Sequence, residues 1–262
     1  MRSGFVAILG PPNAGKSTFL NQVLGFKLAI TSDKPQTTRH RILGVHNDAQ
    51  RQVVFLDTPG LHAARRALNQ RMVQTALATL EEVDAVLFMA EVSPRGLQEA
   101  QEVAHQVLAG GKPVVLALNK IDLVANKTAL LPILQRVTAW GPWAAVVPIS
   151  AQTGDGCPAL LTELGRCLPE GQPLFPEDML TDLSERFLAG ELIREKVFRL
   201  TERELPYSVA VTVDEFLEPE EEGRPTAITA TIHAEREGQK AILIGKGGQM
   251  LKKIGTAARQ DL

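Results

Sequence analysis

An α/β domain with a mostly parallel sheet and helices on both faces, followed by a smaller α+β domain, is the fold class this sequence predicts. Three observations predict it. Short apolar runs alternate with longer helical patterns through roughly the first 170 residues, the rhythm of strands joined by crossover helices. A glycine-rich loop follows the first run directly, where a strand would hand over to a helix. A proline-rich interruption, LPEGQPLFPEDM at Leu168 to Met179, then precedes a segment whose order is helix, strand, strand, helix, helix.

The bulk properties fit this organisation. A chain of 262 residues with 44% hydrophobic residues has enough apolar surface for a sizeable core without staples. The net charge of −2 excludes a protein that is basic throughout, though it hides local asymmetry. Cys157 and Cys167 are too few for a disulfide framework or a zinc site and read as packing residues. No stretch reaches the ~18 apolar residues of a membrane span, and no leader-like segment opens the chain, so the cytoplasm is the expected compartment.

In chain order, strands are expected at Phe5–Leu9, Val53–Asp57, Ala85–Ala90, Val114–Asn119 and Ala145–Ile149, with helices over Asn69–Leu80 and Leu97–Leu108. Ile42–His46 and Gln52–Leu56 flank Asn47–Ala49 as a hairpin, which gives the sheet one antiparallel edge. Proline removes a backbone donor and restricts its predecessor, so no regular element should cross 168–179. The expected domains are therefore 1–168, a linker at 169–179, and 180–262. In the last of these, Leu183–Leu200 is amphipathic, and alternating strands at Ser208–Glu218 and Thr226–Arg236 flank the acidic turn PEEEGRP, which reads as a solvated loop.

The loop Gly10-Pro11-Pro12-Asn13-Ala14-Gly15-Lys16-Ser17, with Thr18 behind it, matches G-x-x-x-x-G-K-[ST] between a strand and a helix. Its physics is that of a phosphate cradle: backbone N–H groups and a helix N-terminus meet the charge, Lys16 reaches the β- and γ-phosphates, and the Ser17 hydroxyl binds magnesium. This makes the first domain a P-loop NTPase. Asp57-Thr58-Pro59-Gly60 ends the second hairpin strand about 40 residues later; Asp57 can hold magnesium, and the Gly60 amide is free to meet a γ-phosphate. Asn119-Lys120-Ile121-Asp122 selects the base. The Asp122 carboxylate can accept from the guanine N1–H and amino group, whereas adenine would leave it desolvated at a cost of ~1–3 kcal/mol. Asn119 would tie this loop to the P-loop, the Lys120 stem would lie along the base, and Ser150-Ala151 would supply an amide near the guanine carbonyl. Taken singly, each of the last two motifs could be an ordinary turn or helix cap. Their shared order at strand ends argues for GTP. Cofactors implied are GTP/GDP and Mg2+.

With these motifs in place the sequence resembles the translation-factor-related GTPases, and within them the Era family, over almost its whole length. The resemblance rests on GPPNAGKS, SDKPQTTRHR at Ser32–Arg41, DTPG, NKID and the second domain. It implies that Ser32–Arg41 is a first switch loop in which Thr38, with Thr37 as second choice, closes on magnesium and the γ-phosphate. Leu61–Ala67 would be a second switch, loosened after hydrolysis. Where Ras-like proteins place a water-orienting glutamine after DxxG, this chain has Leu61, which predicts slow intrinsic turnover or another aid. The resemblance suggests that aid is K+, ligated by the Asn13 carbonyl. The expected catalytic and switch residues are Asn13, Lys16, Thr38 and Gly60. His40 and His62 read as surface residues, and Trp140 and Trp143 as packing around a turn.

In the second domain, Ile244-Gly245-Lys246-Gly247-Gly248 joins two short helices and resembles the GxxG loop of a type II KH domain. Small residues let a nucleic-acid backbone approach, and a helix N-terminus favours phosphate. From Gln239 onward Lys240, Lys246, Lys252, Lys253 and Arg259 face one acid, Asp261, a local basicity suited to RNA. Bases are expected in a groove lined by Ile242, Leu243 and the second strand. The sequence stops at Leu262, where the family would continue to a closing strand, so this domain is expected to be C-terminally incomplete, with an exposed edge and weaker RNA binding. The resemblance implies small-subunit (16S) rRNA and the small ribosomal subunit as partners, and a role in that subunit's biogenesis. The alternatives are a signalling switch with peripheral contact at the inner membrane, since a basic loop also suits anionic headgroups, or a GTPase acting on tRNA.

Overall fold

The computed structural model describes residues 1–32, 34, 37–57, 79–218 and 225–262. They form two compact units, Met1–Asp182 and Leu183–Leu262. No described helix is long and apolar enough to cross a membrane.

The first unit is a six-stranded sheet. Its strands are β1 (Arg2–Leu9), β2 (Ile42–Asn47), β3 (Arg51–Asp57), β4 (Ala85–Glu91), β5 (Val114–Asn119) and β6 (Ala145–Pro148), in the order β2-β3-β1-β4-β5-β6. Among the described strands of this sheet the β2–β3 pair alone is antiparallel, as the hairpin reading expected, and its first rung sets Ile42 opposite Asp57. The described helices of this unit are α1 (Lys16–Leu24), α2 (Pro94–Leu108), α3 (Leu130–Thr138) and α4 (Cys157–Cys167). Successive strand residues point to opposite faces, and each face has its own helices. Leu97, Val103 and Val107 of α2 join Phe88 and Leu116 in one apolar cluster, while Phe19 of α1 meets Phe55 edge-on at 5.6 Å on the other. β1, β3, β4 and β5 are buried on both sides over most of their length, which is why they read as continuous apolar runs and not as alternation. Trp140 is buried and Trp143 stacks on Phe88, so both pack as expected. Both cysteines are free thiols, and burial pushes the Cys157 thiol up to about 11. Most of the helix expected over Asn69–Leu80, and His62, lie outside the described residues.

The proline-rich stretch corrects an expectation. Residues 169–182 do not stand off as a linker; they run as a strap fastened in turn to β1, β3 and the outer strand β2, and the division between units falls after Asp182. The prolines do prevent a regular element, but side chains of the sheet supply the hydrogen bonds instead. The fully buried Gln52 amide is the main anchor: its Oε1 accepts from the Leu174 and Phe175 amides at 2.6 and 2.9 Å, and its Nε2 donates to the Phe175 carbonyl at 2.8 Å. Asn47 Nδ2 donates to the Glu177 carbonyl, Val45 N to the Leu180 carbonyl, and the Thr181 hydroxyl to the Leu43 carbonyl.

The second unit runs α5 (Glu185–Leu200), β7 (Val209–Leu217), β8 (Ala227–Ala234), α6 (Glu237–Ile244) and α7 (Gln249–Arg259), the element order read from the sequence. The two strands form an antiparallel hairpin with a bulge between Val213 and Glu215. At that bulge Arg186 of α5 donates to the Val213 and Asp214 carbonyls. Val197, Leu205, Val209, Leu243 and Ile254 form its core. Lys196 of α5 pairs with Asp261, which fastens the residues after α7 to the first helix of the unit. Residues 219–224, most of the acidic turn, lie outside the described residues.

Truncating the strap's anchor should be costly. Gln52→Ala leaves buried backbone groups without partners and is expected to destabilise the strap by roughly 2–3 kcal/mol. Hydrogen exchange at the Leu174 and Phe175 amides checks this: acceleration by about 30-fold or more is the expected result.

Candidate functional site

The P-loop lies between β1 and α1, and its shape follows from two glycines. Gly10 has φ 145° and Gly15 φ 94°; a Cβ at Gly10 would sit 2.3 Å from the Met89 carbonyl, and one at Gly15 2.2 Å from Asn119 Nδ2. Neither position admits a side chain. Gly15 is also the N-cap of α1, so no side chain caps the helix start and its amides face the loop. Asn13, exposed, takes φ 60° at the crest.

Lys16 is buried beneath this loop. Its Nζ donates to the Gly10 and Pro11 carbonyls at 3.0 and 2.8 Å. Burial depresses its ammonium to about 8, with the Asp57 carboxylate acting in the opposite direction. The loop's own carbonyls thus hold a cation that a phosphate group is better suited to hold.

Three separate segments converge beside it. The Ser17 hydroxyl donates to Asp57 Oδ2 at 2.9 Å and lies 3.0 Å from Thr38 Oγ1. Two hydroxyls and a buried carboxylate are hard oxygen donors, a set that fits Mg2+. Between the two threonines weighed from the sequence, the geometry favours Thr38, because the Thr37 hydroxyl donates away to the Lys34 carbonyl. Thr58, Pro59, Gly60, Leu61 and the rest of the second switch, with Asp33, Pro35 and Gln36 of the first, lie outside the described residues.

The base-side residues are joined through Asn119 at the end of β5. Its Nδ2 donates to the Ala14 carbonyl of the P-loop at 2.8 Å, and its Oδ1 accepts from the Ala151 amide at 2.9 Å. Ile121 is buried, with its amide on the Ile149 carbonyl. Asp122 is exposed in the 3-10 turn Ile121–Leu123. Ser150 is buried and its hydroxyl accepts from the Thr153 amide. Lys120 adopts a left-handed backbone, φ 69°, and its ammonium pairs with Glu91 at 2.6 Å.

A cavity of about 230 Å3 joins the P-loop and the Thr37-Thr38 segment to Lys120, while Asp57, Asn119, Asp122 and Ser150-Ala151 do not line it. Pro12, Asn13, Gly15, Lys16, Ser17 and Thr18 line it with Lys34, Thr37, Thr38 and Lys120, and so do Ile30, Thr31, Ser32 and Gln152. Sequence reasoning missed Ile30, Thr31 and Gln152. Gln152 directly follows Ser150-Ala151, and that adjacency was the available signal. The Ile30–Ser32 segment is set by Asn21, whose side chain accepts from the Leu28 and Ala29 amides and donates to the Ala29 carbonyl. No motif announces that clamp.

In the second unit, Gly245, Gly247 and Gly248 all have positive φ, at 70°, 59° and 78°. A Cβ at Gly245 would crowd Met250, while Gly247 and Gly248 open onto free space. Gly248 is the N-cap of α7, again without a side-chain cap. Lys246, Lys252 and Lys253 are exposed around the loop, as are Ile242 and Ile244. Leu243 corrects the expected groove. It is 3% exposed and packs in the core with Ile254, because one side of α6 must cover the hairpin.

Comparison with known proteins agrees with this geometry. Residues 5–120 match the family described as MMR_HSR1, 50S ribosome-binding GTPase, and residues 204–262 match KH_2, KH domain. The chain is 51% identical over 264 residues to GTPase Era of Geobacter metallireducens, covering 100% of this chain and 87% of that protein. It is 49% identical over 262 residues to GTPase Era of Pseudomonas aeruginosa strain PAO1, covering 85% of it. A crystal structure of Aquifex aeolicus Era Y63A bound to GDP·AlF4− superposes with TM-score 0.89 and 42% identity, over 100% of this chain and 88% of that one. A structure of Era with MgGDPNP and nucleotides 1506–1542 of 16S ribosomal RNA gives the same values.

The depressed Lys16 ammonium yields a pH signature. A phosphate beside Nζ raises its pKa, so nucleotide binding takes up a proton wherever the free protein has lost one, and affinity falls as pH rises through about 8. Calorimetry of GDP binding in buffers of different ionisation enthalpy should find uptake of about half a proton at pH 8 and about nine-tenths at pH 9, with none near pH 6.5. The Lys16→Arg variant should show none across this range.

Proposed function

Since the chain belongs to the Era family of GTPases, we propose that it is a guanine-nucleotide switch that binds small-subunit rRNA through its KH domain and assists assembly of the small ribosomal subunit. The GTPase activity is the family's. The RNA reading is carried by the GKGG loop: three positive-φ glycines, two of them facing open space, at an uncapped helix start ringed by Lys246, Lys252 and Lys253. Small residues admit a sugar–phosphate backbone and the lysines offset its charge. Ile242 and Ile244, exposed beside the loop, offer apolar surface to bases. The solved relative carrying the 1506–1542 segment of 16S rRNA supports that segment as the target.

Within the first unit, the residues divide the work of hydrolysis. Lys16 neutralises the β- and γ-phosphates, giving up the carbonyls of Gly10 and Pro11 for them. The P-loop amides and the start of α1 orient the triphosphate. Ser17, Thr38 and Asp57 would hold Mg2+, which when bound screens the phosphate charge. Because Thr38 lies in the first switch and Asp57 at the root of the second, this grouping senses the γ-phosphate. Asp122 reads the guanine edge, with Lys120 along the base and the Ala151 amide at its carbonyl. Asn13, exposed in the P-loop, would ligate K+, which when bound would supply positive charge in place of an arginine finger. The protein works in the cytoplasm.

Two measurements test the reading. Gly245→Asp or Lys246→Glu should weaken binding of an RNA carrying the 1506–1542 sequence by about tenfold or more while GDP affinity stays within twofold. Unchanged RNA binding would move the partner to a protein or a lipid surface. GTP turnover should be several-fold faster in potassium chloride than in sodium chloride; equal rates would remove K+ from the site.

A further inference from the structure

Glu91 ends β4, the strand beside β5, and is in register with Asn119. The Val92 amide donates to the Asn119 carbonyl at 3.0 Å, so the two strand ends are locked together where the base-side loop begins. From this position the Glu91 carboxylate meets Lys120 Nζ at 2.6 Å, with the two side chains only 24% and 32% exposed. The carboxylate is itself held. Ser93 Oγ accepts from the Gly96 amide, which leaves its proton to donate to Glu91. Gly96 permits the close approach, since a Cβ there would stand 2.6 Å from Glu91 Cβ. Burial alone would raise the Glu91 carboxyl, but hydrogen bonds from Lys120 and Ser93 keep it below its ordinary value.

Lys120 needs such a hold. Its left-handed backbone is uncommon for a residue with a long side chain, and the four-carbon stem has many rotamers. A stem free to swing would have to be ordered each time a nucleotide enters the cavity it lines. We propose that Glu91 is a positioning residue for guanine-nucleotide binding: its carboxylate pins the Lys120 ammonium at the strand ends so that the stem is already extended as a wall of the purine slot. Glu91 itself does not line the cavity, whereas Lys120 does. The inference rests on the reading of Lys120 as the residue along the base.

A double-mutant cycle on the full chain tests both, reading GDP affinity and dissociation rate with a fluorescent GDP analogue. Glu91→Ala should weaken binding by about five- to tenfold, mostly through faster dissociation. Glu91→Asp should recover most of that loss. In a Lys120→Ala background, Glu91→Ala should add less than twofold, because nothing remains to be positioned. Thermal melting accompanies each variant; where Glu91→Ala lowers the melting temperature strongly, Glu91→Gln replaces it in the cycle. Full additivity, or no effect of Glu91 substitution while Lys120→Ala weakens binding, would overturn the inference and leave the nucleotide-site reading intact. No effect of Lys120→Ala would overturn both.

Discussion

The nucleotide site is held in shape by one side chain. Asn119 is 2% exposed and spends both ends of its amide on backbone, one on the P-loop at Ala14 and the other on the Ala151 loop. Three loops at three strand ends, distant in sequence, are thereby fixed to one another by two buried hydrogen bonds. The amide leaves no room for error: Gly15 has to be glycine because Asn119 Nδ2 occupies the space where its Cβ would be. The loops proposed as phosphate cradle and base pocket are consequently tied to each other before any nucleotide arrives. Such preorganisation converts contact energy into affinity instead of consuming it in ordering the loops.

The two units arrive at the same local construction by unrelated routes. Gly15 in one and Gly248 in the other stand as left-handed N-caps, so the helix that follows begins with amides that no side chain has claimed. A lysine accompanies each, Lys16 buried under the first loop and Lys246 exposed in the second. The difference in burial matters. A buried ammonium under a closed loop suits a small ligand with concentrated charge, whereas exposed ammonium groups on a convex turn suit a polymer that lies across them.

Much of this was legible in the sequence because the informative residues are local. Strand ends carrying GPPNAGKS, NKID and SA advertise themselves through composition, and buried parallel strands through unbroken apolar runs. What escaped was built from long-range side-chain-to-backbone bonds. Residues 169–179, within the strap, read as a linker because their prolines forbid a ladder, yet Gln52, over 120 residues earlier, replaces that ladder. Asn21 fixes Leu28 and Ala29 in the same way, and with them the cavity wall at Ile30 to Ser32. Leu243 was assigned to the wrong side of α6. In so short a helix, adjacent apolar residues do not say which of them faces the core.

The register of the β2–β3 hairpin has a mechanical meaning. The proposed first switch segment runs into the sheet at Ile42, and β3 ends at Asp57, ahead of the proposed second switch; these two residues form a single rung of the ladder. The backbone that leads into Ile42 and the backbone that ends at Asp57 are therefore neighbours in one ladder. On the reading proposed above, a displacement of Thr38 that reaches Ile42 meets the carboxylate-bearing Asp57 directly across the ladder. In this hairpin the two proposed levers share one fulcrum.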